Sequence, residues 1–344
     1  MISVQVVLFD GFDLLDAIAP YEVFCAATLF TENTLNVELV TAEGPRFVTS
    51  GINGLKIEAH GKLNPELAGI IVVPGASGPI DGHGPASVPS ILGAAANSDL
   101  TGLMERALGR NDVIVATVCG GSLVLAMGGL LEGRSAVTNH LGMDLLGATG
   151  AIPVSARVVD DGNLVTGGGV TSGLDVALYL LERELGPRIA LAVEQLFEFE
   201  RRGTVWRAMG MAPNTQMTPA DESANIPSIH DDSLNSKATF ASAFDGDWDT
   251  TIVTPVGKLE VRLSISTNDG IIQGTATQGN DKIPFINPVL LNDKLAWNLR
   301  VTKPLRLNLK FEVSADGELM TGVAKAGLLP ASKLTGKRIS GASS

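Results

Sequence analysis

The stretch DVIVATVCGGSLVLAMGGLLEG, residues 112–133, carries Cys119 where an apolar run ends and two glycines begin. The run over 112–118 reads as a strand, and a helical pattern departs from about Gly121. This strand–turn–helix corner is the nucleophile-elbow arrangement, with sulfur in place of a serine oxygen. Glycines behind the nucleophile let the chain fold back without a Cβ clash. The helix start adds unpaired N–H groups and a partial positive charge. Both favour a thiolate, so the Cys119 thiol is expected to titrate below the usual ~8.5. The competing reading, a small buried hydrophobe, weighs less at this corner.

A nucleophile needs an oxyanion site and a proton carrier. The N–H of Gly120 follows the sulfur and is one donor. Gly75, in the turn VVPGASG (72–78), offers bare backbone at another strand end. Of the four histidines, His140 follows a strand-like SAVT (135–138) and also stands at a strand exit. The stretch FDGFDLLDAIAPYEVF (9–24) offers Asp10, Asp13 and Asp16 ahead of a helix with Pro20 in its first turn. Any of the three could cap that helix, and spacing does not choose among them.

The elements that hold these residues follow from hydropathy. Apolar runs at 4–9, 35–42, 69–75, 112–118, 135–138 and 163–168 alternate with helical patterns at 20–31, 98–109, 121–131, 141–148, 173–185 and 187–200. Strands apolar throughout, separated by helices, predict a parallel sheet covered on both faces. In such sheets chemistry gathers beyond the strands' carboxyl ends. Residues 210–239 hold no aromatic residue, three prolines and many small polar residues, the composition of a linker. From 240 onward seven strand-like segments alternate with the turns TNDG, LND and SADG, predicting a small antiparallel barrel or sandwich. Three regions result: 1–208 (α/β), 209–239 (linker) and 240–344 (all-β). Trp248 and Trp297 read as core of the last.

Composition narrows the function. The chain has 344 residues, 45% of them hydrophobic, and a net charge of −12. The last region holds twelve basic and ten acidic residues, leaving 13 and 27 to the rest. That balance argues against nucleic acid or anionic lipid as partner, and no helix-turn-helix pattern follows residue 208. No apolar run approaches the ~18 residues of a membrane helix. The start MISVQVVLFDGF does not read as a signal peptide. Two cysteines, Cys25 and Cys119, make no disulfide framework. A cytoplasmic protein acting on a small molecule is expected. No Cys/His cluster has metal-ligand spacing. TGGGVTSGLD (166–175) lacks the Gly-Lys-Ser/Thr ending of a phosphate loop, and Ser172 stands where a dinucleotide fingerprint needs its last glycine. No metal or cofactor is expected.

At these motifs a resemblance enters. FDGFDLLDAIAPYEVF, VVPGASG, VATVCGGSLVLAMGGLLEGRSAVTNH and DDGNLVTGGGVTSGLDVALYLLE resemble the ThiJ/PfpI family of the class I glutamine amidotransferase-like superfamily, and its isonitrile hydratase branch most. The resemblance implies a flavodoxin-like α/β sandwich, commonly a homodimer. By position it implies Cys119 as nucleophile, Asp16, four residues before Pro20, as the acid facing it, Gly75 and Gly120 as oxyanion donors, and His140 near the site. It implies addition of the sulfur to an isonitrile carbon and release of an N-substituted formamide. A redox or metabolite sensor, or a hydrolase or deglycase of a small carbonyl or amide compound, are the alternatives. Two positions depart from the hydratase pattern: Gly120 replaces the threonine of Cys-Thr-Gly, and Leu141 replaces a tryptophan after the histidine. The stretches DGDWDTTIVTPVG, GIIQGTAT, WNLRVTKPLRLNLKF, GELMTGVAKAG and LTGKR resemble a small all-β module appended to various bacterial proteins.

Overall fold

The computed structural model describes residues 1–32, 34–80, 84–212, 243–254, 257–268, 271–279, 281–291, 293–301, 307–326 and 331–339. Most of the expected linker, and with it His230, lies outside these residues, as does His83. The α/β region runs β1 (Ile2–Val7), α1 (Leu14–Thr28), β2 (Leu35–Thr41), β3 (Arg46–Thr49), β4 (Lys56–Ala59), β5 (Gly61–Lys62), β6 (Gly69–Val73), α2 (Val88–Ala96), α3 (Asp99–Leu108), β7 (Val113–Val118), α4 (Gly121–Met127), β8 (Ser135–Ala136), α5 (Met143–Ala148), β9 (Ile152–Pro153), β10 (Val158–Asp160), β11 (Leu164–Gly167), α6 (Ser172–Leu185) and α7 (Pro187–Phe197).

Seven strands form one sheet in the order β10-β11-β7-β6-β1-β2-β5. Its parallel centre, β2-β1-β6-β7-β11, follows the second-first-third-fourth-fifth order of a flavodoxin-like fold. Each central strand feeds two cores because its side chains alternate between faces. Ile70 and Val72 of β6, with Ile114, Ala116 and Val118 of β7, pack toward α1, α6 and α7. Ile71, Val73, Val113 and Val115 pack toward α2, α3 and α4. That two-sided burial is why these runs are apolar throughout.

Short strands β3, β4, β5, β9 and β10 were not read from the sequence, and five further points differ from that reading. β10 is antiparallel to β11, so the sheet is not wholly parallel. The SAVT segment supplies only β8, which pairs with β9 in a separate two-stranded sheet. Helix α1 starts at Leu14, capped by Asp13, which moves Pro20 from the first turn into the helix interior. Helix α4 stops at Met127 because Gly128-Gly129 follows, with Gly129 at φ +82°. Helix α2 was not read at all: its segment VPSILGAAA is dominated by small residues that make a weak periodic signal.

The all-β region runs β12 (Gly246–Thr254), β13 (Gly257–Asn268), β14 (Ile271–Gln278), β15 (Asp281–Pro284), β16 (Ile286–Leu291), β17 (Lys294–Val301), β18 (Leu307–Asp316), β19 (Leu319–Ala326) and β20 (Ser332–Arg338). Among the described residues these nine strands, where the sequence suggested seven or eight, form one antiparallel sheet ordered β15-β14-β13-β12-β20-β19-β18-β17-β16. Phe285 N–H donates to Gly274 O at 2.8 Å and extends the β14–β15 ladder by one rung. Trp248, Trp297, Phe311 and Leu263 fill the interior. Trp297 stacks between Phe285 and Phe311 at centroid distances of 4.4 and 4.9 Å, so both tryptophans are core.

Candidate active site

Three strand ends meet where the order of the sheet reverses, between β1 and β6, and at the neighbouring β7. Ligands bind outside the carboxyl ends of strands at such a switch point. The three aspartates after β1 separate by role. Asp10 pairs with Arg46 at 2.9 Å and accepts from Thr49 N–H. Asp13 caps α1, accepting from the N–H groups of Leu15 and Asp16. Asp16, one turn into the helix, is fully buried. Its Oδ2 accepts from Gly75 N–H at 3.0 Å, while Oδ1 has no hydrogen-bond partner. A buried oxygen without a partner is costly to leave so, and it marks a place where a proton or a ligand belongs.

The Gly75 turn brings the acid to the elbow. Asp13 N–H donates to Gly75 O at 2.9 Å and ties the start of α1 to this turn. A Cβ on residue 75 would lie 2.5 Å from Gly120 N and 2.8 Å from Asp16 Oδ2, so only glycine fits between them. Gly75 N–H, expected as an oxyanion donor, is here donated to Asp16 and holds the acid.

Cys119 has φ +55°, a left-handed conformation rare for a residue with a side chain. Such strain, about 1–3 kcal/mol, persists only where surroundings over-determine it. Here Cys119 N–H donates to Gly167 O at 2.9 Å and Thr138 Oγ1 donates to Cys119 O at 2.7 Å. Gly121 lets the turn close, since a Cβ there would sit 2.1 Å from Val73 O. The residue is only 7% exposed.

Burial reverses one expectation. It pushes the Cys119 thiol up to about 12, helped by the charge of Asp16 and opposed by Gly120 N–H and Asn139. Burial also lifts Asp16 to about 8, with Asp13's charge second, and Gly75 N–H and the Cys119 thiol opposing. The start of the short α4 does not outweigh desolvation of the sulfur. Thiol and carboxyl titrate as one coupled pair: below about pH 8 both keep their protons, and above it the carboxyl ionises first while its charge helps the thiol keep its own.

His140 is exposed and begins a single 3₁₀ turn over His140–Gly142. It lines a surface cleft of about 360 Å³ with Thr138, Met143, Arg157 and Gly168. The side chain from this loop that reaches the sulfur is Asn139, whose Nδ2 stands 3.5 Å from Sγ. The sequence singled out His140, which lines the adjoining cleft, and not Asn139 beside it, which contacts the sulfur. An asparagine just before a helical turn reads as a cap, and its second contact is tertiary. Cys25, half-buried on α1, lies apart from this constellation. No group of three His, Cys, Asp or Glu side chains is arranged to hold a metal among the described residues. No helix among them is long and apolar enough to cross a membrane.

The model of the DJ-1/PfpI family matches residues 2–183. Isonitrile hydratase of Pseudomonas putida is 51% identical over 85 residues, covering 25% of this chain and 37% of the hydratase. The HTH-type transcriptional regulator CdhR of Pseudomonas aeruginosa is 27% identical over 198 residues, covering 56% of this chain and 54% of the regulator. The chain thus spans about a third and about half of these relatives' lengths. Among solved structures, a ThiJ/PfpI family protein from Pseudomonas syringae is 26% identical, with a TM-score of 0.49, covering 58% of this chain and 76% of that one.

Proposed function

Because this chain belongs to the DJ-1/PfpI family, a family that includes isonitrile hydratase, we propose that its Cys119–Asp16 pair hydrates an isonitrile to an N-substituted formamide. One observation carries the reading: a buried carboxyl with one unpartnered oxygen beside a buried, strained cysteine. That pair supplies a nucleophile and a proton at one point, which is what addition to an isonitrile carbon demands.

In the singly protonated pair, the form with the proton on Asp16 carries the thiolate. The sulfur lone pair forms a C–S bond to the terminal isonitrile carbon, and Asp16 delivers its proton to that carbon, giving a thioimidate. The Asp16 carboxylate then takes a proton from water as the water oxygen adds to the same carbon, and passes that proton to nitrogen. The C–S bond breaks, the remaining hydroxyl proton returns to Asp16, and the formamide leaves. One water is consumed and no redox change occurs. Gly120 N–H faces the sulfur and stabilises charge there during both steps.

Incubation with an alkyl isonitrile, followed by NMR for the formamide, tests the proposal. Turnover that disappears in Cys119→Ser and falls sharply in Asp16→Asn is expected. Formamide no faster than in the Cys119→Ser control overturns it. The regulator-like relative favours a second reading, a metabolite sensor at the same site. Saturable isonitrile binding without turnover would select it.

A further inference from the structure

We infer that Asn139 is a catalytic residue of this site: its side-chain amide is the dedicated donor that holds the ionised sulfur of Cys119. The inference rests on the reading of Cys119 as the nucleophile, and it names a residue that the sequence did not single out.

Asn139 Nδ2 stands 3.5 Å from Cys119 Sγ. Which end of the amide faces the sulfur follows from its other contact. Asn139 is the cap of the turn His140–Gly142, and its Oδ1 accepts from Leu141 N–H at 3.1 Å. A backbone N–H can be met only by the oxygen end, so the NH₂ end is left for the sulfur. An N–H donor beside sulfur favours the thiolate over the thiol.

The backbone under Asn139 is held to the elbow by a chain of buried hydroxyls. Ser122 Oγ, at the start of α4, donates to Val137 O at 2.6 Å and shares a hydrogen bond with Thr117 Oγ1 of β7. Thr166 Oγ1 of β11 accepts from Val137 N–H at 2.9 Å. Thr138 Oγ1 donates to Cys119 O itself. Four threonine and serine side chains, from β7, α4, β11 and the loop itself, thereby fix the loop on which Asn139 sits. A donor pre-placed this way needs no reorganisation when charge develops. Gly120 has no side chain, so the residue after the sulfur offers only its backbone N–H. Asn139 is the side-chain nitrogen that faces the sulfur across the elbow.

Two variants separate donation from capping. Asn139→Asp keeps an oxygen for Leu141 N–H but replaces the donor with a carboxylate. Asn139→Ala removes both. The readout is the pH dependence of Cys119 alkylation by iodoacetamide, followed by mass spectrometry with no isonitrile present. Alkylation roughly 10-fold slower or more at neutral pH in Asn139→Asp is expected, with its pH profile displaced upward, and a smaller slowing in Asn139→Ala. If capping were the whole role, Asn139→Asp would match the wild type and Asn139→Ala alone would change. That pattern, with both variants folded by circular dichroism, overturns the inference. Because the assay contains no isonitrile, absent hydratase turnover alongside a normal Asn139 effect would overturn the proposed substrate and leave this role standing.

Discussion

At Cys119 two opposing influences act on one sulfur, and the larger comes from the fold. Burial and the Asp16 charge raise the thiol, while Gly120 N–H and Asn139 lower it. Because Asp16 ionises first, its proton is what a pH experiment on the pair reads first. Alkylation of Cys119 is expected to rise with pH through about 8, where the pair loses its first proton. In Asp16→Asn that step is expected to vanish, leaving a single transition, with mass spectrometry as the check. The same carboxyl makes a stability prediction. Its folded pKa of about 8 exceeds the ordinary carboxyl value of 3.8, so the folded chain holds a proton that the unfolded chain releases. This contribution is complete below 3.8 and is lost as pH rises to about 8. At about 1.4 kcal/mol per unit, the loss is on the order of a few kcal/mol. Urea unfolding is expected to show Asp16→Asn more stable than wild type above pH 8 and close to it in acid. A carboxyl kept at that expense is consistent with a stability–activity trade-off.

At the scale of elements, glycines decide which strand ends can touch. Gly121 has no room for a Cβ, which would meet the backbone of β6 at 2.1 Å, whereas a Cβ on Gly120 would meet only the flexible tip of Leu92 at 3.1 Å. Gly121→Ala is therefore expected to cost about 1–3 kcal/mol and to disable the site, and Gly120→Ala to cost less than about 1 kcal/mol. Thermal melts with alkylation rates check both; equal losses would contradict the contact geometry. Helix α1 shows how far local signals reach. Asp13 and Pro20 were both visible as helix punctuation, yet the helix boundary was placed too late. The ring of the interior Pro20 packs against Gly173 of α6, its Cδ 3.1 Å from where a Cβ on that glycine would stand. That is a contact between elements far apart in sequence.

At the scale of the molecule, the apolar cores of the two regions share no residue. An ion pair joins the regions, Arg300 to Glu132 at 2.6 Å, and an exposed pair contributes at most about 1 kcal/mol. Two calorimetric transitions are expected. Trp248 is fully buried, donates its indole N–H to Phe244 O at 2.8 Å, and lies 4.2 Å beneath the Arg338 guanidinium. Trp248→Ala is expected to lower one transition by about 3–5 kcal/mol and to leave Cys119 alkylation unchanged; a change in alkylation would show the regions to be coupled. Much of this architecture was legible in the chain. Runs such as GIIVVPG and DVIVATV announce two-sided burial, alternation announces the all-β region, and Cys119-Gly120-Gly121 announces an elbow. These are properties of neighbours in sequence, and period and turn chemistry encode them directly. The direction of the thiol's pKa, the donation of Gly75 N–H to the acid, and the choice of Asn139 over His140 were decided only by tertiary structure. Each depends on how far water is excluded and which distant atoms converge, and both are set when β1, β6, β7 and the loop after β8 pack together.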